Sequence, residues 1–358
     1  MKNTINVQVI GATGYGGVGI IELLMHHPNF EITSLLAKDT IGMTIDKYYP
    51  HLNKLSSLPI KETSEDTIGE NCDIIIFATP DTVATDILSS IYKNKIHKKI
   101  KVVDFSGDFR FSSENHYKEY AEKHPKIDQS KLQVSEFLNE SVYGLPELYK
   151  QQIEKTSLVG NPGCFAVSMI LGLAPLNSKK IIDTKRVTID AVTGTSGAGK
   201  TLSEVLHFSN MENNYIPYRA LDHQHVTEVK KVVSDVGNSI ESLHFVPHLI
   251  PVTRGIMSTI HVSLLEKTSE DKLLNIFQEY YASAPFVRVS DKLPTIKNVR
   301  GSNYCDISLK VDESGEHAVI FSAIDNLLKG QSGNALQCMN IMFGLEETTG
   351  LEKPPLYP

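Results

Sequence analysis

Seven residues, Gly11-Ala12-Thr13-Gly14-Tyr15-Gly16-Gly17, stand between a short apolar run, Ile5–Ile10, and a helix-like stretch, Val18–Met25. Few folds put a glycine cluster at that place. Glycine lets the chain turn tightly after a strand and lets the backbone approach a bound group. The following helix start offers unpaired N–H groups and the positive end of its dipole to a pyrophosphate. The spacing is GxxGxxG, not the commoner GxGxxG, and a purely structural turn is the competing reading. The pattern downstream of the turn favours nucleotide binding. Glu31–Ala37, the apolar run Asp73–Ala78 and Lys101–Asp104 read as strands, with a helix-like stretch around Ile87–Tyr92 between the last two. Strands buried on both faces and alternating with helices predict a doubly wound parallel sheet.

The coenzyme is decided at the end of the second strand, where an acid takes a bare ribose and a cation takes a 2′-phosphate. Lys38 and Asp39 both stand there. They pull in opposite directions, with a lean to NADP.

After Gly163 the pattern changes. Cys164–Leu173 reads as a single helix, and the later strands alternate with period two, as in Ile256, Ser258, Ile260, Val262 and Leu264. Such strands have one buried face and suit a mixed or antiparallel sheet, so an α+β domain is expected. Leu273–Tyr281 reads as a helix with one apolar side, and the tail Pro354–Pro358 as a short extended arm.

Composition narrows the function. A formal net charge of −7 argues against nucleic-acid binding. No apolar run approaches the ~20 residues that span a bilayer, and the N-terminus lacks a signal-peptide layout. Cys72, Cys164, Cys305 and Cys338 form no CxxC pair, so a cytosolic protein with reduced thiols is expected.

Asn161-Pro162-Gly163-Cys164 precedes the apolar helix. A cysteine at a helix start feels the positive end of the dipole, which raises its thiolate fraction. Cys164 is therefore the candidate nucleophile, whereas Cys72 and Cys338 read as buried and inert. A thiolate beside a nicotinamide suggests attack on an activated carbonyl, a thioester, and hydride reduction to the aldehyde. That chemistry needs a proton carrier and anion binders. Asp222-His223-Gln224-His225 supplies histidines. An HxH pair can also hold a metal, but no third ligand stands at suggestive spacing, and no metal is expected. Gly194-x4-Gly199-Lys200-Thr201 formally matches a P-loop, yet it lies mid-chain, and an anion-lined turn around Ser196 is the preferred reading. Arg254 can grip a carboxylate with its guanidinium fork. Arg110 is expected to end a strand at the carboxyl edge of the sheet. Asn326 precedes the C-terminal helix, where it can meet a cofactor amide or act as a cap.

In this order the segments resemble N-acetyl-gamma-glutamyl-phosphate reductases, enzymes of arginine biosynthesis. The resemblance rests on Gly11–Gly17, Asp104–Arg110, Tyr143–Leu148, Asn161–Cys164, Ser196–Gly199, His223–Glu228, Pro247–Gly255, Gly301–Asp306 and Asp325–Gly330. It implies a Rossmann domain of residues 1–160 plus 325–358, a catalytic and subunit-contact domain of residues 161–324, and a homodimer or homotetramer. It also implies NADPH-dependent reduction of an N-acetyl-glutamyl phosphate to the semialdehyde. Residues Gly11, Thr13, Gly14, Tyr15, Gly16, Gly17, Lys38 and Asn326 would then bind the coenzyme. Cys164 would be the nucleophile, with His225 its acid–base partner and His223 second. Arg254 would clamp the substrate carboxylate, Arg110 would serve the phosphate, and Ser196 would line the substrate. The chain departs from the family at Lys38-Asp39 (often Arg-Ser), Asp81 (often His), Phe165-Ala166 (usually Tyr-Pro) and Val226-Thr227 (usually Thr-Pro). The readings left beside it are a lysine-pathway acyl-phosphate reductase, an aspartate-semialdehyde dehydrogenase and a non-catalytic dinucleotide-binding regulator.

Overall fold

The computed structural model describes residues 4–91 and 100–357, so Tyr92 and Pro358 lie outside it. The chain forms two units, one of residues 1–121, 125–162 and 331–352, the other of residues 122–124, 163–330 and 353–358. Residues 325–330 and 353–358 thus group with the second unit rather than with the glycine turn.

The first unit is built on a seven-stranded sheet of β1 (Ile5–Ile10), β2 (Phe30–Ala37), β3 (Ile60–Glu62), β4 (Ile74–Phe77), β5 (Lys101–Asp104), β6 (Val142–Tyr143) and β7 (Leu158–Gly160). The strand order is β3-β2-β1-β4-β5-β7-β6, and every pair is parallel. β4 is buried along its whole length, which explains why it reads as an unbroken apolar run. The order reverses between β1 and β4, and in such sheets the crevice beyond the strand ends at that point is where ligands bind. The expectation that Arg110 ends a strand needs correction. β5 stops at Asp104, and residues 105–112 are a loop. Asp108 organises that loop by accepting the Thr82 and Thr85 N–H groups at 2.8 and 3.1 Å, where the helix Val83–Ile91 begins.

The second unit carries a mixed sheet of β8 (Val187–Thr193), β9 (Ile216–Pro217), β10 (Leu243–Leu249), β11 (Ile256–Ser263), β12 (Val287–Val289), β13 (Cys305–Val311) and β14 (His317–Ile324). Its order is β12-β13-β14-β11-β8-β10-β9. Strict alternation of buried and half-buried residues along β11 matches the period-two pattern. The helix Cys164–Ser178 is buried on nearly all sides, as expected of a helix that is apolar all round. It lies so close to the sheet that a Cβ on Gly172 would come within 2.4 Å of Ile260 Cδ1.

This helix runs past the expected end at Leu173, straight through Pro175. Proline has no N–H to donate to the carbonyl four residues back. The freed Leu171 carbonyl accepts instead from the Tyr281 hydroxyl at 2.6 Å. Tyr281→Phe is therefore expected to lower stability by about 1–3 kcal/mol, the cost of an unsatisfied buried acceptor. A fall in melting temperature, with secondary structure intact by circular dichroism, is the readout; an unchanged melting temperature would show that water or relaxation replaces the bond. Among the described residues no helix is long and apolar enough to cross a membrane.

Candidate active site

Local geometry explains the glycine turn. Gly11 has φ +84°, a region open to glycine, and a Cβ there would lie 2.4 Å from the Ala78 carbonyl oxygen. A Cβ on Gly17 would lie 2.3 Å from the Gly11 oxygen, so close packing of the turn on the helix Tyr15–Leu24 also demands glycine. Gly14 is the N-cap of that helix, and no side chain caps it. Uncapped N–H groups on a bare glycine turn fit a pyrophosphate. Lys38 and Asp39 are both exposed just beyond β2, and Asp39 Oδ1 accepts the Thr13 hydroxyl at 3.4 Å.

Arg110 is buried in the same unit. Its Nε donates to the Asn161 carbonyl at 2.8 Å and its Nη2 to the Phe105 carbonyl at 3.0 Å. The expectation that it takes a phosphate thus meets a guanidinium already bracing two loops. Gly160 permits this bracing, since a Cβ there would lie 2.0 Å from the Phe109 oxygen.

In the second unit Cys164 is the first residue of its helix, half-buried, and Gly163 caps the helix with no side-chain bond. The positive end of the helix dipole therefore bears on the sulfur. Cys72 is a counter-example: burial, then the Asp73 charge, pushes its thiol up to about 12. Cys338 is buried, its thiol donating to the Gly144 carbonyl at 3.3 Å.

His225 opens the helix His225–Asp235, and its ring lies over the Cys164 turn. A Cβ on Gly163 would be 2.2 Å from His225 Nε2. His223 lies behind it, ring centroids 4.7 Å apart. Burial first, then the Arg219 and His124 charges, pushes the His223 imidazole down to about 3, and its Nδ1 accepts the His225 N–H at 3.2 Å. A ring kept neutral and already accepting on Nδ1 is a poor proton carrier at neutral pH. Of the two histidines, His225 is the one whose ring lies against the Gly163 turn.

Three residues not singled out from the sequence join this group. Glu228, fully buried, accepts the Gly163 N–H on Oε1 at 2.8 Å. Tyr218 is half-buried, its hydroxyl pushed up by burial and then by the electrostatic influence of Cys164. Gly330 lies against Cys164, since a Cβ on it would be 2.8 Å from Cys164 Cβ. Of these, Glu228 had a visible signal in His223–Glu228, but an acid in a first helical turn reads as an ordinary dipole partner.

Arg254 donates Nε and Nη2 to Asp325 Oδ1 at 3.1 and 2.9 Å, which holds one edge of the guanidinium in place. Asn326 ties two loops together, donating Nδ2 to Ser196 Oγ at 3.0 Å and accepting the Gly255 N–H at 2.8 Å. The formal P-loop at Gly194–Thr201 is a 3-10 turn over Thr195–Ala198, followed by another short turn at Glu204–Leu206. The helix N-terminus that a P-loop aims at phosphate is not there. Among the described residues no group of three or more His, Cys, Asp or Glu is gathered for a metal.

Residues 6–156 match the family described as semialdehyde dehydrogenase, NAD binding domain, and residues 164–326 the semialdehyde dehydrogenase dimerisation domain. A nicotinamide dinucleotide is thus the cofactor class of the first unit. A Bacillus cereus N-acetyl-gamma-glutamyl-phosphate reductase is 39% identical over 98% of this chain and 99% of its own. One from Staphylococcus saprophyticus is 38% identical over 99% of this chain and 100% of its own. Among solved structures, aspartate semialdehyde dehydrogenase II of Vibrio cholerae, complexed with ASA, superposes with a TM-score of 0.69 at 15% identity, covering 96% of this chain and 99% of that one. The Candida albicans aspartate semialdehyde dehydrogenase with NADP gives 0.67 at 16% identity, covering 95% and 99%.

Proposed function

Since this chain belongs to the N-acetyl-gamma-glutamyl-phosphate reductase family, we propose that it reduces N-acetyl-glutamyl 5-phosphate to the 5-semialdehyde with release of phosphate, using NADPH. The observation that carries this reading is the seating of the His225 ring on the turn that begins the Cys164 helix. A thiolate and a proton carrier in one place are what acyl transfer to sulfur requires.

In this mechanism the Cys164 sulfur forms a bond to the acyl carbon while the carbon–oxygen bond to phosphate breaks, leaving a thioester and free phosphate. The nicotinamide, when bound, supplies the hydride that reduces the thioester. His225 supports the developing oxyanion with its N–H, and the carbonyl re-forms from that oxyanion as the carbon–sulfur bond breaks to release aldehyde and thiolate. The thiolate is favoured throughout by the positive end of the helix dipole. Arg254, its fork oriented by Asp325, meets the substrate carboxylate, and Ser196 lines the same loop. Arg110 acts by holding Asn161, at the head of the segment that leads to Cys164. Gly11 to Gly17 hold the dinucleotide, with Lys38 drawing a 2′-phosphate. The NADP-bound Candida albicans structure, of the same fold, supports that coenzyme. The dimerisation-domain match supports a homo-oligomer, as do Leu202, Val205, Phe208, Tyr215 and Leu221, large apolar residues left exposed within one stretch.

The test runs the reaction in reverse. Purified protein with N-acetyl-glutamate 5-semialdehyde and phosphate is expected to reduce NADP at least about tenfold faster than NAD at equal concentration, a discrimination of roughly 1.4 kcal/mol, and to elute as a dimer or larger in light-scattering chromatography. No phosphate-dependent reduction of either coenzyme would refute the reaction. A preference for NAD would refute the assignment of Lys38, and a monomer the subunit contact.

A further inference from the structure

We propose that Asp81 and Asp108 are positioning residues for the dinucleotide: each acid holds the other's loop, and together they keep Thr82 in a left-handed conformation that sets one wall of the crevice. The inference rests on the reading that the dinucleotide lies on the turn Gly11–Gly17. The first sheet reverses its order between β1 and β4, and the loops that follow β4 and β5 both reach that turn. A Cβ on Gly11 would lie 2.4 Å from the Ala78 carbonyl oxygen and 3.3 Å from Thr79 Cγ2. One on Gly16 would lie 3.1 Å from Phe105 Cδ2. Any movement of either loop is therefore felt at the glycine turn.

The two loops are laced in both directions. Asp108, after β5, accepts the Thr82 N–H on Oδ1 at 2.8 Å and the Thr85 N–H on Oδ2 at 3.1 Å. Asp81, after β4, accepts the Gly107 N–H on Oδ1 at 2.8 Å. Tyrosines of the helix Glu114–Glu122 steady both acids, Tyr117 donating to Asp108 at 3.2 Å and Tyr120 to Asp81 at 3.3 Å. Thr82, between these bonds, has φ +74°. A β-branched residue is rarely found there, and such strain persists only where its surroundings impose it, most often at functional sites. The lacing also stands against like charge. Burial first, with the Asp81 charge beside it, pushes the Asp108 carboxyl up to about 6 although the Thr82 N–H pulls it down. Capping the helix Val83–Ile91 would need neither the strain nor the second acid. Two N–H groups need two acceptor oxygens, and Asp108→Asn leaves one. Thr82→Gly removes the strain, because glycine enters the left-handed region freely.

The experiment measures NADPH binding by fluorescence titration, well below the melting temperature, in the full-length protein. It compares wild type, Asp108→Asn, Thr82→Gly and the double variant. Gly14→Asp marks the glycine turn: its φ of −83° and ψ of 167° suit aspartate, and the added charge repels a pyrophosphate. Asp108→Asn is expected to raise Kd at least about fivefold, by loosening a preorganised wall. Adding Thr82→Gly should recover about threefold or more of that loss, because the left-handed turn then holds without the acid. A role in stability alone would lower the melting temperature and leave Kd unmoved. Should Asp108→Asn not fold, Asp81→Ala, at the half-buried end of the lacing, takes its place in the same comparison. An unmoved Kd in Asp108→Asn beside a raised one in Gly14→Asp overturns the proposal alone. So does a raised Kd that Thr82→Gly does not recover. A Kd raised by Asp108→Asn, recovered by Thr82→Gly and untouched by Gly14→Asp keeps the positioning role and sinks the reading of the glycine turn.

Discussion

Cys164→Ser is expected to lower kcat by at least about a thousandfold while leaving dinucleotide binding and the fold as they were. A serine hydroxyl stays protonated where the helix start favours a thiolate, and it forms an ester rather than a thioester. Losses of this size, or larger, follow removal of the nucleophile from enzymes whose reacting groups work as a unit. The substitution is nearly isosteric at a half-buried position, so the melting temperature serves as the control. Acid quenching of wild type mixed with the semialdehyde and oxidised coenzyme, without phosphate, should trap an acyl group on the protein, and the variant should trap none. Turnover near that of the wild type would end the thioester scheme.

Gly163→Ala is the second large effect. Gly163 has φ −70° and ψ 145°, values that alanine adopts freely. The obstacle is the new methyl, which would stand 2.2 Å from His225 Nε2, 2.6 Å from Cδ2 and 2.8 Å from Cε1. The whole edge of the ring must move. It is buried, with Phe165 and His223 beside it, so there is little room to yield. A shift of about 1 Å in a proton carrier costs on the order of a hundredfold in rate, and overpacking costs about 1–3 kcal/mol of stability. Steady-state kinetics should show the loss in kcat, with KM for the dinucleotide unmoved. A variant with wild-type kcat would show that the His225 ring has no part in the reaction.

His223 and His225 are alike in sequence and differ only in their surroundings. Their spacing says that two rings lie near each other; it does not say which one meets the cysteine. The fold separates them by pointing the His225 N–H at the Nδ1 of His223 while laying the His225 ring on Gly163. Arg254 and Arg110 make the same point. Both read as anion binders, because a guanidinium suits anions wherever it is free. Asp325, 71 residues from Arg254, claims one edge of the first, and two loop carbonyls claim the second. Pro175 would end a helix on local rules, and only the hydroxyl of Tyr281, 110 residues from Leu171, shows why it does not.

What was determined by the sequence alone is local. The wholly apolar β4, the glycine turn after β1 and the alternation along β11 each reflect a backbone preference or a burial pattern confined to a few neighbouring residues. So does the start of the cysteine helix, expected at Cys164 and found there. The short strands β3, β6, β9 and β12, of two or three residues, carry too few residues for any period to show. Their pairing depends on a neighbour supplied by the rest of the fold. The turn at Gly163 belongs to the same class: its glycine is legible, but the ring and the acid that require it come from a helix more than sixty residues away. Periodicity encodes what one segment does with its own backbone. Contacts between distant segments are set by the packing of the whole chain, and at Cys164 that packing decides which groups can react.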